Sequence, residues 1–195
     1  MTPTVAAIVW AVGLVAWAVI RAPHQRRARK IKVVQDSRTT GDRLALGAAT
    51  LGLSAVPAIY VATGFPAFAD YAFRLWMGWV GLLVELAFLA LFFASHRQLG
   101  RNWSVSLEIR AHHELVTDGL YRFVRHPMYS SFWLWAIAQF FLLPNWVAGL
   151  TGLAGVAILY FFRAGREEAM MRNTFGASYA AYADRTGRVV PKFWS

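Results

Sequence analysis

Five long apolar segments constrain this chain more than any other feature of its sequence. They cover residues 4–20, 44–61, 71–94, 130–143 and 146–162. A segment that crosses the hydrocarbon core of a bilayer needs roughly 20 apolar residues in a helix, because lipid offers the backbone no hydrogen-bond partners. The pattern therefore predicts an all-α integral membrane protein with about five transmembrane helices. The segment at 130–143 is short and is expected to borrow residues that precede it.

The basic residues give these spans an orientation. Of the 20 Lys and Arg residues, all but Arg74 lie in residues 21–43, 95–129 or beyond 162, which five spans place on one face. The positive-inside rule makes that face cytoplasmic and puts the N-terminus outside. No basic residue precedes the first segment, so an anchor is expected rather than a cleaved leader. The basic run at 26–32 lacks the interleaved aromatics that stack nucleic-acid bases, and it is expected to contact anionic lipid headgroups.

Two polar clusters bracket the last two apolar segments. The first reads YRFVRHPMY at 121–129, and the second reads RAGREE at 163–168. The segments are separated by the turn dipeptide Pro144-Asn145. A helical hairpin that turns there would return the chain to its starting side. The sequence therefore predicts that the two clusters meet at the cytoplasmic mouth of a membrane hairpin.

The residue types in these clusters point to binding of charged groups. His126 precedes Pro127, a residue favoured in the first turn of a helix, so His126 is expected at a helix start, where anions are attracted. Arg163 and Glu167 are four residues apart and share a helix face. Arg163 follows an aromatic run and could hold a carboxylate at a partly dehydrated depth. Glu168 is expected to form only a surface ion pair.

Other chemistries are disfavoured. The chain has no Cys, which excludes disulfides and thiolate nucleophiles. Its five His residues do not have the spacing of metal ligands, so no metal is predicted. Glu85 lies inside the third apolar segment, where an ionisable residue is a functional candidate by default. The alternatives for Glu85 are a protonated side chain or a hydrogen bond to a Trp of a neighbouring helix.

The second half of the chain resembles a known family. The sequence ELVTDGLYRFVRHPMY at 114–129, the PNW turn at 144–146 and the REE tail with its later Phe-Gly and tyrosines are similar to isoprenylcysteine carboxyl methyltransferases. The resemblance covers roughly the last hundred residues. It implies a membrane enzyme that uses S-adenosylmethionine, with residues 1–94 forming three N-terminal membrane helices and residues 95–195 forming the catalytic region.

The resemblance also implies site residues. Arg163 would hold the carboxylate of a lipophilic, prenylated acceptor that comes from the bilayer. The methyl donor would be held by residues from the loop, the hairpin and the tail: Glu108, His113, Glu114, Leu115, Val116, Tyr121, His126, Pro127, Met128, Tyr129 and Glu167. The membrane would be the prokaryotic cell membrane, or the endoplasmic reticulum in a eukaryote, with the active site on the cytoplasmic side.

The proposed chemistry suits these residue types, but several acceptors remain open. A carboxylate is already ionised at neutral pH, so its methylation needs no general base. The amine of phosphatidylethanolamine or a small thiol would need a proton acceptor, for which Glu85, Glu168 or His126 could serve. A sterol-reductase-like enzyme that uses NADPH and a non-enzymatic membrane scaffold are further alternatives, of which the scaffold leaves the clustered motif unexplained.

Overall fold

Helices account for nearly all of the fold, as predicted. The structure, a computed structural model, describes residues 1–28, 30, 33–36, 39–100, 108–110 and 114–192. Its α-helices in these ranges are α1 (Pro3–Ala28), α2 (Thr40–Thr50), α3 (Val56–Thr63), α4 (Leu75–Leu99), α5 (Pro127–Leu142), α6 (Trp146–Phe175) and α7 (Ala177–Arg185). Strands β1 (Val33–Asp36) and β2 (Glu108–Arg110) form an antiparallel ladder that the sequence did not predict.

Each of the five predicted apolar segments is mostly helical, and the third becomes helical only at Leu75. Four stretches of the described residues are long and apolar enough to cross a membrane: α1, the continuous helical run from Thr40 to Thr63, α4 and α6. The remaining helix, α5, has 16 residues, which is about 24 Å. It packs between α4 and α6. The prediction of a helical membrane protein is confirmed, and α5 is shorter than each of the four candidate membrane spans.

The helix ends differ from the predicted segment ends in an informative way. α5 begins at Pro127, so it does borrow residues that precede 130. α6 continues past Phe162 to Phe175 and has 30 residues, and α1 continues past Ile20 to Ala28. Both extensions are polar. The predicted segments end where the apolar residues end, but the hydrogen-bonded helix continues beyond them.

The second predicted segment contains Pro57 and stays helical past it. A π-helical turn over Leu51–Ala55 precedes α3, and helix continues to Thr63. Pro57 has no N–H to donate to the preceding turn, and the π turn lies just before it. The carbonyl of Gly52 accepts hydrogen bonds from Gln139 Nε2 at 3.0 Å and Thr151 Oγ1 at 3.3 Å. The deformed turn is thereby tied to α5 and α6.

Gly52 also sets how closely this turn approaches α6. A Cβ added at Gly52 would lie 2.1 Å from the carbonyl oxygen of Thr151, which is backbone and cannot rotate away. We expect Gly52→Ala to lower the free energy of unfolding by about 1–3 kcal/mol, because the two helices must separate. Thermal unfolding of the purified protein in detergent measures the change.

Gly47 of α2 provides the matched control. A Cβ added there has no atom within 4 Å among the described residues. Because alanine is favoured over glycine by about 1 kcal/mol in a helix, Gly47→Ala should unfold at the same temperature as the wild type or slightly above it. Equal transition temperatures for the two variants would contradict the close approach at Gly52.

The hairpin of α5 and α6 turns where the sequence predicted it. Asn145 caps α6, since its Oδ1 accepts from the backbone N–H of Ala148 at 2.9 Å. Its Nδ2 donates to Asp70 Oδ1 and to the Pro66 carbonyl, both at 2.7 Å. The turn is therefore fixed to the segment before α4. As a result the start of α5 and the far half of α6 lie at the same end of the bundle.

Glu85 lies buried between α1 and α4, with 2% of its surface exposed. Its carboxyl group rests on Gly13 of α1, where an added Cβ would lie 1.7 Å from Oε1. Within the described part of the chain neither carboxyl oxygen has a hydrogen-bond partner, so the hydrogen bond to a Trp is not formed there. Glycine at position 13 is what admits this side chain between the helices.

Candidate active site

The two polar clusters meet, as the hairpin predicted. Tyr129 donates its hydroxyl hydrogen to Glu167 Oε1 at 3.0 Å. His126 lies between two carboxylates, with Nδ1 3.6 Å from Glu167 Oε2 and Nε2 3.3 Å from Glu168 Oε1. The start of α5 and the polar half of α6 thus form one connected group of charged and aromatic side chains.

Local sequence explains why His126 stands at this place. It is the N-cap residue of α5, and Pro127 follows in the first turn, where its missing N–H leaves no bond unmade. The backbone N–H groups of Arg125 and His126 donate to the carbonyls of Gly187 and Arg188 at 2.8 and 2.9 Å. The tail after α7 therefore runs beside the residues that precede α5 and holds them in place.

Glu168 corrects a prediction. It was expected on the surface, but only 2% of it is exposed. Its carboxylate contacts Arg125 Nε at 3.1 Å, His126 Nε2 at 3.3 Å and Arg188 Nη2 at 3.0 Å. The ion pair with Glu168 raises the pKa of Arg188. Glu168 is thus the buried centre at which α6, the start of α5 and the tail are joined.

Arg163 and Glu167 form the ion pair that their spacing predicted. Arg163 Nη2 lies 3.1 Å from Glu167 Oε1, one helical turn away on α6. Arg163 is 5% exposed, so its charge is largely removed from water. Glu167 Oε1 thereby accepts from both Arg163 and Tyr129. An anion that approached Arg163 would find a guanidinium already oriented by this carboxylate.

A cavity of about 280 Å³ joins these polar residues to the interior of the helix bundle. Its polar end is lined by Glu114, Leu115, Val116, Tyr121, Arg125, His126, Glu167, Met170, Met171, Tyr179 and Tyr182. Its other end is lined mainly by apolar side chains of α1, α2, the π turn, α5 and α6: Trp17, Leu46, Ala49, Thr50, Leu53, Ser54, Phe132, Trp135 and Leu159.

Two helices follow the cavity in the same order from polar to apolar. On α6 the lining residues Glu167, Arg163 and Leu159 are each one turn from the next, and Met170 and Met171 line the cavity beyond Glu167. On α5 the order is His126, Tyr129, then Phe132 and Trp135. Because α5 and α6 are antiparallel, the two gradients coincide in space. Arg163 therefore stands at the boundary between the polar and the apolar part of the cavity.

The tyrosines of the polar end are neutral aromatic surfaces. Burial raises the pKa of Tyr121 well above its ordinary value, and burial raises the pKa of Tyr179 to about 12. Burial also raises the pKa of Tyr182, whose hydroxyl donates to the Tyr121 carbonyl at 2.7 Å. Phenols with such pKa values stay protonated at neutral pH. They can stack or donate hydrogen bonds, but they are poor proton acceptors.

Most of the predicted site residues lie around this cavity. Nine line it: Glu114, Leu115, Val116, Tyr121, His126, Met128, Tyr129, Arg163 and Glu167. Pro127 does not line the cavity. It is the first residue of α5 and lies between the lining residues His126 and Met128. Glu108 lies in β2, but its side chain is outside the described residues, as is the whole of His113.

The cavity is also lined by residues that were not among the predicted site residues. Tyr179 and Tyr182 lie on one face of α7 at a spacing of three, a signal that could have paired them. Trp17 and Arg21 line the cavity from α1 at a spacing of four. The residues of α2 carry no such signal, because their apolar side chains look like any membrane span. In the described ranges no three His, Asp or Glu side chains converge as metal ligands.

Comparison with known proteins finds similarity to one family. The sequence model of the isoprenylcysteine carboxyl methyltransferase (ICMT) family matches residues 79–173, just under half of the chain, which contain most of α4, all of α5 and nearly all of α6. In this segment the chain is similar to that family. The match includes Arg163, Glu167 and Glu168, together with the start of α5.

Curated relatives of the ICMT family share the same region. Protein-S-isoprenylcysteine O-methyltransferase B of Arabidopsis thaliana is 34% identical over 94 residues, 47% of this chain and 48% of the relative. The Schizosaccharomyces pombe protein-S-isoprenylcysteine O-methyltransferase is 38% identical over 98 residues, 48% of this chain and 41% of the relative. A probable protein-S-isoprenylcysteine O-methyltransferase of Oryza sativa subsp. indica is 30% identical over 132 residues, 65% of this chain and 66% of the relative. The first two matches span less than half of those relatives.

A solved structure supports the fold. The structure of the eukaryotic intramembrane Ras methyltransferase ICMT superposes with a TM-score of 0.55 and 24% sequence identity. The superposition covers 76% of this chain and 51% of that one. The shared architecture is that of an integral membrane helical protein, and it extends beyond the segment matched in sequence.

Proposed function

We propose that this chain is an S-adenosylmethionine-dependent methyltransferase that esterifies the carboxylate of a prenylcysteine-like or other lipophilic acceptor. One observation carries the proposal: a single cavity has a polar end and an apolar end, with the buried Arg163 at the boundary. A lipophilic acceptor with a terminal carboxylate is likewise polar at one end and apolar along the rest of its length. The similarity of residues 79–173 to the ICMT family supports this reaction.

The polar end suits the methyl donor. S-adenosylmethionine carries two positive charges, a carboxylate and an adenine ring, and when bound it supplies an electrophilic methyl group. Glu167 would hold one of its cationic groups, since the contact of its Oε2 with His126 Nδ1 is at the long distance of 3.6 Å. Tyr121, Tyr179 and Tyr182 offer aromatic surfaces to a planar ring. The loop residues Glu114, Leu115 and Val116 and the motif residues His126, Met128 and Tyr129 would complete the enclosure.

The apolar end suits the acceptor. Its walls are Trp17 of α1, the cavity face of α2 and the inner part of α5. Arg163 would hold the acceptor carboxylate with two parallel hydrogen bonds, the arrangement for which a guanidinium is shaped. The domain division is therefore proposed in a modified form. Residues 95–195 would carry the chemistry, and α1 and α2 would form much of the acceptor wall.

The charged side chains favour an acceptor that needs no base. A carboxylate is ionised at neutral pH, so the protein has to align it and exclude water, and alignment alone can lower a barrier by up to about 7–11 kcal/mol. Glu168 is already engaged by Arg125, Arg188 and His126, and His126 lies between two carboxylates. Glu85 does not line the cavity. Of these three candidates only His126 lines the cavity, and both of its ring nitrogens already face carboxylates.

We also propose that the polar end faces the cytoplasm. It lies at the end of the bundle that carries the basic residues at the ends of α1 and α6, including Arg26, Arg27 and Arg172. The positive-inside rule assigns that end to the cytoplasm. With five helical segments the N-terminus would then lie outside, in a prokaryotic cell membrane or in the endoplasmic reticulum of a eukaryote.

A methyl-transfer assay tests the proposal. Purified protein in nanodiscs is incubated with methyl-labelled S-adenosylmethionine and an S-prenylated cysteine derivative, phosphatidylethanolamine or a small thiol. We expect label only in the prenylcysteine product. Mild base should release it as volatile methanol, because methyl esters hydrolyse whereas N-methyl and S-methyl groups do not.

The matched control is the same prenylcysteine with a carboxamide in place of the carboxylate, which should remain unlabelled. Base-stable label in the lipid or in the thiol would replace the proposed acceptor by that one. The absence of transfer to every acceptor, in protein that is folded, would overturn the methyltransferase proposal.

A further inference from the structure

The N-terminal end of α2 is fixed to α6 by a polar contact centred on the buried Asp42. Asp42 is 2% exposed, and its Oδ2 accepts from the backbone N–H of Thr39 at 2.8 Å, from Thr39 Oγ1 at 2.8 Å and from Arg166 Nη1 at 2.7 Å. Arg166 Nη1 also donates to Thr39 Oγ1 at 2.9 Å. Thr39 is the N-cap of α2 and forms a capping box with Asp42. We call these three residues, Thr39, Asp42 and Arg166, the latch.

An aromatic contact supports the latch. A Cβ added at Gly41 would lie 2.3 Å from the ring of Phe162, so the first turn of α2 lies directly on that ring. The Arg166 guanidinium is 5.7 Å from the centre of the same ring. Phe162 and Arg166 flank Arg163 on α6. The start of α2 is therefore docked on the turn of α6 that carries Arg163 and Glu167.

The rest of the seam between these helices is apolar and lies farther from the site. A Cβ added at Gly155 would be 2.7 Å from the Ala48 carbonyl oxygen, and the π turn touches Thr151. These backbone contacts set the spacing near the middle of α6. The latch is what holds the seam at its polar end, beside the boundary of the cavity.

α2 and its π turn border only one part of the cavity. They contribute Leu46, Ala49, Thr50, Leu53 and Ser54, all at the apolar end. The polar end is built by the loop before α5, by α6 beyond Arg163 and by α7. A displacement of α2 would therefore change the acceptor wall and leave the polar end in place.

We propose that the latch positions α2 for the acceptor: the contact of Asp42 with Arg166 sets the width of the apolar end and thereby the affinity for the lipophilic substrate. Asp42 and Arg166 are positioning residues, since neither lines the cavity. This inference rests on the proposed function. An ion pair with one partly exposed partner contributes little net stability, so its use here is to fix one arrangement of two helices.

Asp42→Asn is the informative variant. It removes the charge and keeps the size, and Arg166, whose side chain is 36% exposed, can turn to water. We expect the KM for the prenylcysteine acceptor to rise about tenfold, with the Kd for S-adenosylmethionine changed less than about twofold. Thr39→Val, which removes the hydroxyl, should also raise this KM. Thr39→Ser, which keeps the hydroxyl, should behave as the wild type. A purely structural role would lower stability and donor affinity together without this split.

A double-mutant cycle tests whether the contact acts as a unit. Because Asp42 and Arg166 share one contact, Asp42→Asn combined with Arg166→Gln should raise KM no more than the worse of the two single changes. Arg172→Gln is the matched control, as it removes an exposed Arg from the same helix. Additive effects of the two changes, or an equal effect of Arg172→Gln, would overturn the proposal.

A distance measurement tests the same inference without catalysis. The chain has no Cys, so spin labels can be placed at Arg43→Cys on α2 and Asn173→Cys on α6, both exposed. Asp42→Asn should broaden the distance distribution between the labels. An unchanged distribution would overturn the latch, and a broadened one with an unchanged KM would overturn its role in acceptor affinity. Wild-type protein that folds and transfers no methyl group would overturn the proposed function itself.

Discussion

Replacing Arg163 by alanine is expected to reduce kcat/KM for a carboxylate acceptor by about 100-fold or more, while the affinity for S-adenosylmethionine stays within about threefold. Arg163 stands at the boundary of the cavity, 5% exposed, where a carboxylate would otherwise lose its water without gaining a partner. Glu167 keeps its contacts with Tyr129 and His126 when Arg163 is truncated. The methyl-transfer assay and calorimetry with S-adenosylmethionine measure the two quantities separately.

Two further variants sharpen this test. Arg163→Lys keeps the charge but loses the paired hydrogen bonds, so its activity should fall between the wild type and Arg163→Ala. Arg172→Gln changes an exposed Arg of the same helix and should behave as the wild type. Full activity of Arg163→Ala, or a parallel loss of affinity for S-adenosylmethionine, would contradict the assignment of Arg163 to the acceptor.

Replacing Glu167 by alanine is expected to raise the Kd for S-adenosylmethionine about 10- to 100-fold, which corresponds to the loss of a hydrogen bond to a charged group. Here the structure changes the expectation drawn from the sequence alone. Glu167 Oε1 also accepts from Arg163 and Tyr129, so its loss releases the side chain that would hold the acceptor. Glu167→Ala should therefore reduce acceptor turnover as well as donor affinity, whereas Arg163→Ala should reduce turnover alone.

Glu167→Gln separates charge from hydrogen bonding. The amide oxygen can still accept from Tyr129 and Arg163, so the geometry should persist, but the negative charge opposite a cationic methyl donor is gone. Titration calorimetry in detergent should give a Kd between those of the wild type and Glu167→Ala. An affinity for S-adenosylmethionine that is unchanged in both variants would remove Glu167 from the donor site.

Several features of the site follow from local sequence and were predicted. His126 begins α5 because Pro127 favours a first helical turn, and Arg163 pairs with Glu167 because residues four apart share a helix face. The hairpin turns at Pro144-Asn145, so the two clusters had to meet. Each of these features depends on residues within a few positions of each other, or on one turn between two uniform helices.

Glu168 shows where local reasoning stops. Its neighbours in sequence suggest an exposed helix surface, yet Arg125 and Arg188 enclose it. These partners come from the segment before α5 and from the tail after α7, and no pattern in the sequence indicates that the tail returns to this point. The burial of Glu168 depends on the course of a loop, which spacing does not encode.

The acceptor wall illustrates the same limit. The apolar face of α2 and the face of α1 with Trp17 are predicted as membrane spans, and lipid-facing and cavity-facing residues look alike because both are apolar. The latch between Asp42 and Arg166 joins residues that are far apart in the chain. Neither the acceptor wall nor the latch could be assigned without knowing how the helices pack together.

The amino-acid sequence by itself determined that this chain is a helical membrane protein, where its hairpin turns and which two polar clusters meet, because hydropathy and helical spacing act over short distances along the chain. Only the tertiary structure decided which apolar helices enclose the cavity, that Glu168 is a buried centre and that Asp42 fixes α2 beside Arg163. Those outcomes depend on which helices pack together, and in a chain of uniformly apolar spans that choice is made by close backbone approach and by a few polar contacts between distant residues.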